Sequence, residues 1–208
     1  MTNTLHRYGD AASFSDDFVI FAIPCKGKND DGAVERLKEF LRICAKHSPS
    51  NIGNSDFGSY RPSRNLGPAV HWTRDTTPDH QGVIDGVFRT ATAAAVFDSG
   101  AKAEACLQEL IDAELGLSVN VSTSVEGAKS LASSCGIDRH SVEYSLGFDD
   151  PHDLLPEGRV LELSTMCGHG MISSNLAKKM LELVREGRRS PDEAARTMAR
   201  FCPCGVYN

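Results

Sequence analysis

The chain has 208 residues, of which 40% are hydrophobic and 24% are charged, and its formal net charge is −6. This length is sufficient for one domain with a full hydrophobic core, so we expect a single domain over residues 1–208. The negative charge disfavours nucleic acid or an anionic membrane as the main partner. No segment is apolar enough for a signal peptide or a membrane span, so we expect a cytoplasmic protein. The sequence leaves the oligomeric state open.

Strand and helix patterns alternate along most of the chain. An apolar run at 17–24 predicts a buried strand, and apolar residues spaced three and four apart predict a helix over 33–47. Similar signals predict further strands at 93–98, 117–122, 141–146 and 159–164, and helices at 102–115 and 125–135. This order predicts an α/β or α+β sandwich, with a mixed sheet and helices packed against it.

Residues 51–86 contain many glycine, proline, serine, asparagine and arginine residues and only short apolar pieces. A loop of this length is typically functional or mobile. Arginine side chains bind carboxylates through two parallel hydrogen bonds, so this loop is a candidate substrate-binding segment. The candidate residues are Arg61, Arg64, Arg74 and His71. A solvent-exposed loop with scattered charges explains the same residues equally well.

The last part of the chain, residues 166–208, combines helical patterns with cysteines. One helix is predicted over 172–186, and a second begins after Ser190, where proline and Glu193 follow in the order of a capping box. Two helices joined by a short loop usually lie antiparallel. The hairpin should therefore bring Cys202 and Cys204 back toward Cys167.

Cys167 lies in the segment TMCGHG, between the predicted strand at 159–164 and the helix that follows. This order places Cys167 at a helix N-terminus, where free amides and the helix dipole stabilise a thiolate. We therefore expect a lowered pKa for Cys167, with His169 as its partner or as a contact for a substrate. A glycine-rich turn with a buried cysteine is the alternative interpretation.

Residues 166–170, MCGHG, with Ile172 beyond them, resemble the MCGHGTI segment of the proline racemase and hydroxyproline epimerase family. The later Pro-Cys-Gly at 203–205 is similar to the second catalytic segment of that family. The resemblance implies a cofactor-independent racemase or epimerase, in which two cysteines act as acid and base on opposite faces of the substrate. It assigns these roles to Cys167 and Cys204 and places His169 near the substrate.

The seven cysteines also permit a metal site. Cys167, Cys202 and Cys204 would supply three thiolate ligands, with Cys25 as a candidate fourth, for an iron-sulfur cluster or for zinc. With three ligands, an open iron would act as a Lewis acid on a small anionic substrate, as in a lyase or hydratase. Racemisation leaves Cys202 unexplained, which favours the metal. A thiol-based metal carrier or accessory protein is a third hypothesis.

Overall fold

The structure is a computed structural model that describes residues 5–55, 58–59, 79–142, 154–202 and 207–208. The strands of the sheet are β1 (Phe18–Ile23), β2 (Asn51–Asn54), β3 (Ala93–Phe97) and β4 (Ser118–Ser122). The helices are α1 (Ala33–Lys46), α2 (His80–Asp85), α3 (Gly100–Asp112), α4 (Val125–Ser134), α5 (Gly158–Thr165), α6 (Ser174–Arg185) and α7 (Pro191–Ala199). These elements confirm the predicted α/β or α+β class.

The four strands form one sheet in the order β2-β3-β1-β4, and every neighbouring pair is antiparallel. The expected mixed sheet is therefore wrong for the described strands. β1 and β2 run in the same direction, as a strand-helix-strand unit requires, but β3 lies between them. The order and directions are those of two interleaved split βαβ units, the ferredoxin-like arrangement. The first and third strands occupy the centre of the sheet.

Helices cover both faces of the sheet, because side chains alternate along each strand. On β1, Ile20 packs in a core with α1 to α4, whereas Phe21 packs in a second core with α5 to α7. On β3, Ala95 packs in the first of these cores and Val96 packs in the second. The described residues thus form three layers, and Cys167 and Cys202 belong to the second core.

Two predictions about local structure are wrong. Residues 159–164 belong to helix α5, because Val160, Leu161 and Ser164 are buried together at helical spacing. The segment 51–86, predicted to be a loop, contains β2 and α2. Of the strand predicted at 141–146, residues 141–142 have no strand structure, and the remainder lies outside the described residues.

The predicted C-terminal helical hairpin is present, since α6 and α7 are joined by a short connection and contact each other. Ser190 forms the predicted capping box with Glu193 at the start of α7. Among the helices that the structure describes, none is long and apolar enough to cross a membrane.

Candidate thiol site

Cys167 follows the C-terminal end of helix α5 and is fully buried in the second core. The turn after the helix is closed by a hydrogen bond of 2.7 Å from the Gly168 amide to the Thr165 carbonyl oxygen. The next helix, α6, begins only after its N-cap residue Ser173. The expectation that Cys167 lies at a helix N-terminus is therefore wrong. The carbonyl end of a helix dipole disfavours a thiolate.

Cys202 follows the C-terminal end of α7 and is also fully buried. Its amide donates to the Ala199 carbonyl oxygen at 3.0 Å, which continues the last helical turn. The side chains of Cys202 and Cys167 are in hydrogen-bonding contact. The structure thus brings together two thiols that are 35 residues apart in the sequence, as the helical hairpin predicted.

The pKa of Cys167 is raised far above its ordinary value. The main cause is the hydrogen bond with Cys202, followed by burial, while hydrogen bonds from the side chain and backbone of His169 act in the opposite direction. The prediction of a lowered pKa for this thiol is wrong. This shift favours the neutral thiol of Cys167 when no metal is bound.

A buried arginine from the N-terminal segment lies near Cys167. Arg7, whose side chain is 3% exposed, pairs with Asp17 just before β1 and donates to the Ser122 carbonyl oxygen on β4 at 2.9 Å. Its guanidinium also lies over the ring of Phe14, 4.8 Å from the ring centre. Burial lowers the pKa of Arg7, while the charge of Asp17 and, least of all, that of a Cys167 thiolate act in the opposite direction.

The end of the chain is docked against the same site. The buried Tyr207 hydroxyl donates to the Leu163 carbonyl oxygen of α5 at 2.8 Å. Burial raises the pKa of Tyr207, and the proximity of Cys167 and Cys202 raises this pKa further. Asn208 donates a hydrogen bond to Asp17 at 2.8 Å. The two ends of the chain therefore meet at the thiol pair.

The N-terminal segment also covers the turn that carries Cys167. The His6 amide donates to the Gly168 carbonyl oxygen at 3.1 Å, and the Tyr8 amide donates to Thr165 Oγ1 at 3.0 Å. Gly168 has φ +75°, and a Cβ atom at this position would lie 2.5 Å from the Leu5 Cβ. Glycine is required there for both the backbone conformation and the space.

The remaining predicted site residues have different positions. His169 is half-buried beside Cys167. Cys25 is exposed and follows the opposite end of β1 from Asp17, roughly 20 Å along a strand of this length. Its exposure and position separate it from the thiol pair, so the structure does not support Cys25 as a fourth ligand. Cys204 and the loop residues lie outside the described residues: Arg61, Arg64, His71 and Arg74.

Within the described ranges, no group of three or more histidine, cysteine, aspartate or glutamate side chains is arranged to hold a metal ion. The described part of the candidate metal site therefore consists of Cys167 and Cys202. The third predicted thiol ligand, Cys204, is two residues after Cys202 in the sequence and lies outside the described residues. The three-ligand site stays a prediction.

Sequence reasoning missed Arg7, Asp17 and Tyr207. Each lies near a chain end or just before a strand, where no periodic pattern or motif distinguishes it. Their role becomes visible only when the N-terminal segment, β1 and the last residues are placed together. No protein-family model, curated protein or solved structure matches this chain.

Proposed function

We propose that the chain is an enzyme with a cysteine-ligated iron-sulfur cluster, or another thiophilic metal, at Cys167, Cys202 and Cys204. The observation that supports this proposal is the contact between the buried thiols of Cys167 and Cys202, which come from two different helix ends. Thiolates are the preferred ligands of iron-sulfur clusters and bind zinc strongly. A third cysteine two residues after the second makes a ligand set of the usual size.

The electrostatic environment fits a buried centre with negative charge. Thiol ligands lose their protons when they bind a metal, so a raised pKa of Cys167 makes metal binding depend on pH but does not prevent it. Buried Arg7 lies near Cys167, and its charge, which is already paired with Asp17, favours the bound thiolates only weakly. The core that surrounds the pair excludes solvent from these sulfur atoms.

The proposed reaction is that of a lyase or hydratase on a small anionic substrate. A metal with three protein ligands keeps one position open and supplies Lewis acidity there. His169, half-buried next to Cys167, is the proposed acid or base. The proposed carboxylate-binding residues belong to the loop that the structure does not describe: Arg61, Arg64, His71 and Arg74.

The structure gives less support to the two alternatives, a racemase and a metal carrier. A racemase needs a thiolate base at Cys167, and the raised pKa of this residue opposes that charge state. A metal carrier needs a mobile terminal thiol segment, whereas Tyr207, three residues after Cys204, is buried and hydrogen-bonded to α5. The metal-dependent enzyme is therefore the better supported function.

A substitution series tests the metal site. After anaerobic preparation, three variants should contain much less iron and sulfide, or much less zinc, than the wild type: Cys167→Ser, Cys202→Ser and Cys204→Ser. The reason is that each change removes a thiolate ligand. Cys25→Ser is the matched control and should retain the wild-type metal content, since this thiol is exposed and remote. Full metal content in all three ligand variants would overturn the proposal.

Activity needs a separate test. Metal-loaded protein should add water to, or remove water from, a small hydroxy or unsaturated carboxylic acid in a screen of such compounds. His169→Gln should lower the turnover number by about 100-fold or more while the metal content is retained, as expected for the loss of an acid-base group. Loaded protein without turnover on such acids would restrict the proposal to metal binding and contradict the lyase or hydratase part.

A further inference from the structure

A second pair of cysteines, which the proposed metal centre does not use, lies in the core between the sheet and helices α1 to α4. Cys44 belongs to α1 and Cys106 to α3, and both are fully buried. Their Sγ atoms are 3.7 Å apart and are joined by a thiol hydrogen bond. The two cysteines are 62 residues apart in the sequence, so the packing of α1 against α3 brings them together.

A second contact between the same two helices sets their register. Three residues after Cys44, at the end of α1, the His47 Nε2 atom lies 2.8 Å from Glu109 Oε2. Glu109 is three residues after Cys106 on α3 and also pairs with Lys46. Residues three apart on a helix lie on the same face. The thiol contact and the histidine contact therefore lie one turn apart along the same helix interface, which keeps the two sulfur atoms opposite each other.

The surroundings of this pair favour a disulfide over a metal site. Among the residues that the structure describes, no third histidine, cysteine, aspartate or glutamate completes a ligand set with the two thiols. A disulfide needs only two sulfur atoms. Its S–S bond is about 2.0 Å long, so from the observed separation each sulfur has to move by about 1 Å. Rotation of the two side chains and a small shift of the helices provide a movement of this size.

We propose that Cys44 and Cys106 are a redox modification site, at which a low-molecular-weight disulfide of the glutathione type oxidises the pair to a reversible cross-link between α1 and α3. One cysteine, as its thiolate, attacks the external disulfide, and one small thiol leaves. The other cysteine attacks the resulting mixed disulfide, and the second small thiol leaves. The protein gives up two electrons and two protons, which the external disulfide takes up as two thiols.

Burial controls the rate and the end product of this reaction. Burial and the hydrogen bond with Cys106 raise the pKa of Cys44, so its thiolate forms only when the core around it opens. A mixed disulfide does not fit the closed core, in which both cysteines are fully buried, so the neighbouring thiol displaces the small thiol. The cross-link closes a chain loop that contains β2, α2 and β3 and should stabilise the fold. It is independent of the proposed metal centre, since Cys167 and Cys202 belong to the other core.

Peptide mapping of the full, metal-free chain tests the cross-link. One sample is incubated in its native state in mixtures of reduced and oxidised glutathione. A second sample enters the same mixtures unfolded in urea and is refolded by dilution, so that access to the buried thiols does not limit the reaction. Free thiols are then blocked with N-ethylmaleimide in denaturant, and the chain is digested with trypsin without reduction. Mass spectrometry should find peptide 43–46 linked to peptide 103–129, and exposed Cys25 should carry glutathione, which shows that the oxidant was active.

Thermal denaturation with and without oxidation provides a second measurement. Oxidation should raise the melting temperature of the wild type by about 5 °C or more, because the cross-link constrains the unfolded chain. Cys44→Ala and Cys106→Ala should each abolish this difference, whatever their own stability. Cys135→Ala is the matched control and should retain it, because the Cys135 thiol lies in the same core but contacts the Glu104 carbonyl oxygen, at 3.8 Å.

Two results would overturn the proposal. The first is the recovery of Cys44 and Cys106 as free thiols from both samples while Cys25 carries glutathione. The second is a rise in the melting temperature that survives in Cys106→Ala, since another cysteine pair would then be its cause.

Discussion

Gly168 holds the turn after α5 in a left-handed conformation while its α-carbon faces Leu5. Gly168→Ala should lower the free energy of unfolding by about 3 kcal/mol, because left-handed backbone strain adds to a collision with the N-terminal segment. Gly170→Ala is the matched control, since φ is +65° there but no atom lies within 4 Å of the added Cβ. Its cost should be about 1 kcal/mol. Urea denaturation of both variants measures the difference, and equal losses would contradict the packing of the N-terminal segment on this turn.

The cysteines should differ strongly in their reaction with alkylating agents. In native, metal-free protein, iodoacetamide should modify Cys25 rapidly because its side chain is exposed. Cys44, Cys106, Cys167 and Cys202 should react only as the protein unfolds, because all four are fully buried. Peptide mapping by mass spectrometry gives the rate for each cysteine. Rapid native modification of Cys167 would contradict its burial.

The sequence predicted the partner of Cys167 correctly but not the protonation state. Cys202 was placed near Cys167 by the helical hairpin, which depends on local signals such as the capping box at Ser190. The pKa of Cys167 depends instead on the hydrogen bond with Cys202 and on burial in the second core. Both are consequences of tertiary packing, which a local pattern does not contain.

The capping box of α7 should stabilise the helix that carries Cys202. Ser190→Ala should lower the free energy of unfolding by about 1 kcal/mol, because the Glu193 amide loses its acceptor. Ser190→Asp, which keeps an oxygen acceptor, should retain most of the stability. Thermal denaturation of the two variants provides the comparison. An equal loss in both would show that the cap is not the source of the effect.

At the scale of elements, strongly periodic segments were predicted well and two others were not. Helix α1 and strand β1 have the predicted type and nearly the predicted bounds. Helix α5 was predicted to be a strand because Leu161 and Leu163 alternate with polar residues over a few positions. Strand β2 has the sequence NIGN, which has low strand propensity, and is stabilised by its pairing with β3. That pairing is not visible in the segment itself.

For the whole molecule, Tyr207 should connect the end of the chain to α5. Its hydroxyl donates a hydrogen bond to the carbonyl oxygen of Leu163. This carbonyl belongs to the last turn of α5, where carbonyl groups have no partner within the helix. Tyr207→Phe should therefore lower the free energy of unfolding by about 1 to 2 kcal/mol, since a buried carbonyl loses its donor. Phe201→Leu, at a half-exposed position, is the control and should have little effect. Unchanged stability of Tyr207→Phe would contradict the docking of the chain end.

The overall class of the fold followed from the sequence, whereas the strand order and the surroundings of the thiols did not. The insertion of β3 between β1 and β2 depends on contacts between distant segments. The same is true of Arg7, which reaches Asp17 and Ser122 from a segment without a periodic pattern. Residues from both chain ends contribute to the site, and only the folded chain shows that they meet.

The most direct test of the proposed metal centre is an anaerobic preparation of the wild-type protein, with iron, acid-labile sulfide and zinc determined together with the visible absorption spectrum. We predict a brown protein with about four irons and four sulfides per chain, as expected for a cluster of the [4Fe–4S] type. Stoichiometric zinc without colour would retain the thiol site and exclude the cluster. Colourless protein free of metal would contradict the proposal and leave Cys167, Cys202 and Cys204 as metal-free thiols.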